Sequence, residues 1–326
     1  MDKKRIIIFT NSGISKEIYQ NLKFLGFDVY AYLDNDFIFR PTVIEKLKNL
    51  WYKKIDNRYD YYFHLKLKKI KSHNDYRLQL QKDFDYGLLI RPDKYDAETL
   101  SIIRNKTKYL VGYQWDGMNR YPEIYKKITF FDKFYCFNPI DCKDKIEFAT
   151  NFYFDYSTHP LNKEIFDVIY IGFFTAKRYD ILLKISEHLP NKRLYLNLKT
   201  QNKQEAEQMT SSSINAIDNT FSYNEMMVKN TQSKALLDLK AEEHDGLSFR
   251  FFEAMKLSKK VITTNKDVEK YDFYNSNNIF ILTDTNYHEL SAFLELPFKE
   301  FDEKIIEKYS FSYWLKRALS KSKINE

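Results

Sequence analysis

HDGLSFRFFEAMKLSKKVITTN, residues 244–265, is the stretch from which the rest of the chain can be read. A polar turn, Glu242 to Gly246, leads into a helical run with Phe249, Phe252 and Met255 at helical spacing, and the run ends in the apolar strand pattern Val261-Ile262-Thr263-Thr264. Turn, helix and strand together make half of a parallel α/β unit. Asp245 stands at the expected helix start with Glu253 eight residues on and Arg250 between them, so about two helical turns carry three ionic groups among aromatic residues. A helix amino terminus exposes unpaired N–H groups and the positive end of the macrodipole, which suits a diphosphate. The plainer alternative is a core helix with Phe251 and Phe252 packed inside and its charges in water.

The same unit recurs on the N-terminal side. An apolar run to Phe9, the turn Thr10-Asn11-Ser12-Gly13, a helix from Ser15 to Leu25, Gly26 and a strand from Asp28 to Leu33 open the chain as β-α-β. Asn11, Ser12 and Gly13 follow the first strand, where open α/β sheets bind ligands; Gly13 is either ligand-facing or a plain turn residue. Strands are predicted from Asp85 to Pro92, Tyr109 to Trp115 and Phe134 to Phe137, with a helix from Ala97 to Arg104. Trp115-Asp116 closes the second of these strands, where a carboxylate beside an aromatic ring can bind a sugar hydroxyl or act as a base. Asp116-Gly117 is equally an ordinary turn pair.

Residues 150–162 are polar and aromatic with a proline and read as an interdomain linker. A second β-α series follows: a strand from Asp167 to Phe173 with Gly172 near its end, then a helix from Arg178 to Glu187. Thr175, Lys177 and Arg178 at that helix start could clamp a diphosphate, or form a basic helix start with no ligand. Strands from Leu194 to Leu198, Lys234 to Leu239 and Asn278 to Leu282, a loose stretch from Gln201 to Ser213, a capped helix at Ser222 and a terminal helix from Glu303 to Lys321 complete the pattern. The expected fold is therefore α/β, with two Rossmann-like doubly wound domains at 1–155 and 156–302 and a C-terminal helix at 303–326.

The chain has 326 residues, enough for two cores, and its 44% hydrophobic and 30% charged content excludes a disordered protein. The net charge of +7 is localised: from Arg40 to Lys82 twelve Lys and Arg face four Asp and Glu, so the remainder is near neutral. Leu47, Leu50 and Trp51 fall at helical spacing within this basic insertion, which could be a solvated face, a contact for an anionic membrane surface or, less favoured, one for nucleic acid. No run approaches the apolar length of a spanning helix, so a cytoplasmic protein is expected, possibly peripheral on the inner membrane face. Cys136 and Cys142 lack nearby His ligands and read as structural thiols.

Asp245-Gly246, Arg250 and Phe252-Glu253-Ala254 resemble the donor-binding motif of GT-B glycosyltransferases, in which two acidic residues are separated by seven. The pattern is most similar to CgeB-like and group 1 enzymes of capsule, exopolysaccharide and lipopolysaccharide synthesis. That resemblance implies two domains facing a central cleft, with the C-terminal helix crossing back onto the first. It implies transfer of a sugar from a nucleoside diphosphate to a surface glycan or lipid-linked acceptor. Glu253 would hold the ribose; Gly172, Lys177, Arg178, Gly246 and Arg250 would line the diphosphate; Asp245 would touch the donor sugar. Asn11, Ser12, Gly13, Trp115 and Asp116 would lie on the acceptor side. Asp116, Asp245 and Arg250 are the candidate catalytic residues, and retention is favoured, although Asp116 as a base would serve inversion. No metal and no cofactor are expected, because cationic side chains can stabilise the leaving group. A second possibility is a catalytically silent GT-B-like protein that binds membrane or nucleic acid through residues 40–82.

Overall fold

The computed structural model describes residues 3–9, 14–32, 39–55, 61–156, 162–219, 221–240 and 246–320. The apolar runs form two parallel sheets. The first contains β1 (Arg5–Phe9), β2 (Asp28–Tyr32), β3 (Phe84–Ile90), β4 (Thr107–Gln114), β5 (Lys133–Cys136) and β6 (Ile146–Phe148) in the order 2-1-3-4-5-6. The second contains β7 (Phe166–Phe173), β8 (Leu194–Lys199), β9 (Ile214–Ile217), β10 (Ser233–Asp238), β11 (Lys260–Thr263) and β12 (Ile279–Ile281) in the order 12-11-10-7-8-9. Each order reverses once, between β1 and β3 and between β7 and β10. Such reversals leave a crevice at the carboxyl ends of the strands.

Helices α1 (Ser15–Phe24), α2 (Val43–Ile55), α3 (Tyr61–Gln79) and α4 (Ala97–Lys106) belong to the first half. The second half carries α5 (Ala176–His188), α6 (Lys203–Glu207), α7 (Tyr223–Thr231), α8 (Phe249–Lys256), α9 (Leu290–Glu295), α10 (Glu303–Lys308) and α11 (Phe311–Leu319). Because both sheet faces are covered, strands read as continuous apolar runs. Ile6 and Ile8 enter one cluster while Ile7 and Phe9 enter another, and Val168 with Tyr170 and Ile169 divide in the same way across the second sheet. The alternation follows from the two-residue period of a strand.

Several expectations change in the structure. Strands β6 and β9 are short and each is interrupted by a polar residue, Glu147 and Asn215, which hid them in the sequence, and α6 lies within the stretch expected to be loose. The terminal helix is two helices, because Ser310 accepts a hydrogen bond from the Tyr313 N–H and starts α11 afresh. At this break the Tyr153 N–H donates to the Tyr309 carbonyl (3.1 Å) and the Phe311 N–H to the Tyr153 carbonyl (2.9 Å), so the outgoing linker and the returning chain run side by side. Trp314 of α11 then packs on Tyr113, Tyr135, Phe152 and Phe311, which places the C-terminal helix on the core of the first sheet.

Asp155 joins this crossing. Its carboxylate accepts from Asn21 of α1 (3.0 Å) and from the Ser312 N–H and hydroxyl of α11 (2.9 and 2.7 Å). Lys256 of α8 donates to the Phe154 and Asp155 carbonyls (2.5 and 3.2 Å), and burial holds its ammonium below the usual lysine range. Asp155→Ala orphans the Asn21 amide and the Ser312 N–H and hydroxyl at once, leaves the Lys256 bonds to backbone in place, and is expected to lower the unfolding free energy by roughly 3 kcal/mol, read from the urea midpoint. A loss under about 0.5 kcal/mol would mean that water replaces the carboxylate at no cost.

Candidate functional site

The site grows from the reversal between β7 and β10. Asp238 ends β10 with its side chain buried, accepting from the Ser248 hydroxyl at 2.6 Å and the Thr263 hydroxyl at 3.1 Å. Ser248 is also the N-cap of α8, taking the Arg250 N–H at 3.3 Å. The helix therefore starts at Phe249, four residues later than Asp245 suggested; the serine is the better cap because its hydroxyl bonds helix and strand end together. Asp245 itself lies outside the described residues.

From the first turn of α8, Arg250 reaches back over the sheet. Its guanidinium donates to the Ile171 carbonyl of β7, stands 3.7 Å from Asp238 and stacks over the Tyr170 ring at 5.2 Å. A cation is thus fixed at the crevice between β7 and β10. Gly172 lies in the same strand end, and a Cβ there would collide with the Tyr170 ring and hydroxyl. On the following loop Thr175 caps α5 by accepting from the Arg178 N–H at 3.2 Å, and Arg178 donates to the Phe173 carbonyl at 3.2 Å. Lys177 is exposed beside it. Arg250, Gly172, Lys177 and Arg178 are therefore brought to one end of one sheet.

Glu253 points inward from α8 and is 4% exposed. Asn230 of α7 donates to it at 3.3 Å, and Tyr223, two turns earlier on the same helix, hydrogen-bonds it as well. Burial pushes its pKa up to about 7, with Arg250 and Tyr223 pulling the other way. Carboxylates kept this dry without a direct cation are uncommon outside functional sites.

The first domain meets this segment closely. A Cβ on Gly246 would collide with the Phe137 ring and lie 2.6 Å from the Phe137 carbonyl, so only glycine lets the loop pass the end of β5. Asn151 donates to the Leu247 carbonyl at 2.9 Å, and the Trp115 ring meets Phe249 edge-on at 5.8 Å. The carboxyl ends of β4 and β5 thus face the segment that follows β10.

Asp116, just past β4, is engaged by Arg91, whose guanidinium approaches one oxygen, while Arg120 stands 3.9 Å from the other. Arg91 holds left-handed backbone at φ 57° beyond β3, grips Asp93 with two hydrogen bonds of 2.7 and 2.8 Å, and lies over the Tyr121 ring at 4.5 Å. Both Asp116 oxygens face cations, so the carboxylate is held between Arg91 and Arg120. Asn11, Ser12 and Gly13 lie outside the described residues.

Asp238, Tyr223, Asn230 and Arg91 did not stand out in the sequence. Asp238 was visible as an acid closing an apolar run, and the capping box at Ser222 and Glu225, present in the structure, fixed the register of α7. Two Asp-x-Asp pairs, a spacing that can hold a divalent ion, occur in the chain. Asp83 and Asp85 flank the amino end of β3, away from the crevice, beside Lys106, Lys108 and the Arg5 N–H; Asp34 and Asp36 lie outside the described residues. Among the described residues no group of three or more His, Cys, Asp or Glu could hold a metal ion, and no helix is long and apolar enough to cross a membrane.

No protein-family model matches this sequence, and no curated protein matches it. Solved structures do. A UDP-forming α,α-trehalose-phosphate synthase from Burkholderia xenovorans in complex with glucose-6-phosphate superposes with a TM-score of 0.59 at 9% identity, over 97% of this chain and 98% of its own. The α,α-trehalose 6-phosphate synthase of Burkholderia multivorans gives 0.56 at 10% identity over 98% of both chains. A trehalose-6-phosphate synthase examined for glycosyl transfer with retention gives 0.53 at 11% identity, over 96% of this chain and 97% of its own.

The chain has the GT-B fold. Its two Rossmann-like halves, the cleft between their strand ends and the returning α11 match those neighbours over nearly their whole length. The resemblance to CgeB-like capsule and lipopolysaccharide enzymes is overturned: trehalose-phosphate synthases recur among the solved structures this chain matches, and no family model supports the other assignment. The physical reason is the shortness of the motif. An Asp-Gly, an Arg and a Phe-Glu-Ala within ten residues describe how a loop and helix cross the end of a GT-B sheet, which distant members of the fold must all solve.

Proposed function

We propose that this chain is a glycosyltransferase that moves a sugar from a nucleoside diphosphate to an acceptor bound in the cleft. The observation that carries it is the pairing, on one short helix at the β7/β10 reversal, of the fixed Arg250 cation with the buried Glu253 carboxyl. In this reading residues 156–302 hold the donor, 1–155 the acceptor, and 303–326 tie the two together. Glu253 takes the ribose hydroxyls on release from Asn230 and Tyr223. Arg250, Arg178 and Lys177 take the negative charge that builds on the diphosphate as the glycosidic bond breaks, the work a divalent ion does elsewhere. Gly172 and Gly246 line the donor side, where each lets this chain's backbone pass close to an aromatic ring, Tyr170 and Phe137 respectively. Asp245 contacts the donor sugar.

Trp115 and Asp116 face the acceptor, and the part assigned to Asn11, Ser12 and Gly13 on that side rests on the sequence alone. Arg91 and Arg120 hold Asp116 in place on the acceptor side, and transfer with retention needs no enzymic base opposite the donor. One neighbour forms UDP and holds glucose-6-phosphate, so UDP and a sugar phosphate are the first ligands to try.

A thermal-shift panel of UDP, GDP, CMP, dTDP and ADP tests the donor half. One nucleotide is expected to raise the melting midpoint of the wild type and not of Glu253→Ala, by linkage of binding to stability. No shift by any nucleotide on folded wild type would overturn the enzyme reading in favour of a silent GT-B shell.

A further inference from the structure

Helix α2 is built inside out. Its row Glu45, Asn49 and Tyr52, spaced four and three residues apart, faces the protein, and Asn49 is the residue it buries. Val43, Ile44, Leu47, Leu50, Trp51 and Ile55 face outward, each between 51% and 72% exposed. A surface helix ordinarily turns its apolar stripe inward. Here polar anchors hold the reversed orientation: Lys69 of α3 pairs with Glu45 at 2.6 Å, and the Tyr52 ring packs on Tyr61 of α3 at 4.9 Å. The helix is thus fastened by its polar side and presents about 20 Å of apolar ridge.

We propose that this ridge inserts into the headgroup boundary of an anionic phospholipid bilayer. Charge selects that occupant. Lys46, Lys48, Lys53 and Lys54 are exposed on α2 beside the ridge, and the 40–82 segment around them carries an excess of eight positive charges. A second copy of the chain docked through the same face would bring like charges together, whereas anionic headgroups neutralise them. Aromatic and aliphatic side chains at acyl depth with lysines at headgroup level are how a helix lies in an interface without spanning it. The inference stands on α2 alone and is independent of the donor site.

Vesicle sedimentation of the full chain tests it, using phosphatidylglycerol mixed with phosphatidylcholine against phosphatidylcholine alone. The wild type is expected to bind the anionic vesicles and release them as salt rises above about 0.1 M. The Leu47→Ser/Trp51→Ser double variant and a variant with the four lysines changed to glutamine should each lose at least about tenfold in partitioning. Both should keep the wild-type melting midpoint. A blue shift of the wild-type tryptophan emission with anionic vesicles, absent from Leu47→Ser/Trp51→Ser, gives a second measure, since Trp51 is half exposed while Trp115 packs on Phe249 and Trp314 is buried. Equal binding by wild type and double variant, or no binding to anionic vesicles, overturns the proposal. So does a wild-type dimer, seen by light scattering, that Leu47→Ser/Trp51→Ser splits, because the face then belongs to a second copy. Nucleotide-induced shifts should persist in both variants, which separates this test from that of the donor site.

Discussion

Glu253→Gln is expected to make the protein more stable relative to wild type as pH rises, and at the same time to remove its response to nucleotide. The buried carboxyl has a folded pKa near 7 against an ordinary 4.5, chiefly because burial penalises its charged form. The folded state therefore holds the proton more tightly than the unfolded chain. The associated stability is fully present below the unfolded value and is lost as pH climbs through the folded one. Glutamine keeps the shape and cannot titrate, so the variant lacks this loss. Between about pH 5 and pH 8 the difference in unfolding free energy should swing by about 2.5 kcal/mol in favour of the variant. Urea titrations across that range measure it. Parallel curves would show that Glu253 is solvated in the folded protein, and the idea of a stored carboxylate would fall. A residue that costs stability where it stands and is needed for ligand follows the usual exchange of stability for function.

Arg250→Ala should lower turnover with the sugar nucleotide by about a hundred- to a thousandfold, the loss typical of removing one preorganised charge from a developing oxyanion. The fold should survive, because Asp238 keeps the Ser248 and Thr263 hydroxyls. Arg250→Lys should rescue little. A single ammonium cannot at once donate to the Ile171 carbonyl, face Asp238 and lie flat on Tyr170. Steady-state kinetics on the donor that the nucleotide panel selects would decide this. A variant with wild-type turnover would remove Arg250 from the diphosphate and leave it a structural tie between β7 and α8.

The strands of both sheets were legible wherever burial on two faces made them uniformly apolar, as in Ile6 to Phe9, Val168 to Ile171 and Ala235 to Leu237. Strands β6 and β9 escaped notice because polar residues interrupt them, and the break at Ser310 because Ile305, Ile306, Trp314 and Leu315 keep a helical rhythm on both sides of it. Arg250, Glu253, Gly172 and Arg178 stood out as ionic groups and glycines at predicted strand ends and helix starts. Their partners did not. Asp238, Tyr223 and Asn230 meet α8 only because the chain order 10-7-8 folds β10 against β7 and lays α7 beneath Glu253.

The sequence by itself determined most of the strands and that they run parallel, because hydrophobic period and turn chemistry are local properties. It also determined that residues 40–82 are basic. Tertiary structure alone decided that α2 turns its apolar side outward, since orientation depends on the Glu45 and Tyr52 anchors reaching α3. It likewise decided that Asp116 is held by Arg91 and that Glu253 is dry, because charge pairing and desolvation are set by neighbours distant in the chain.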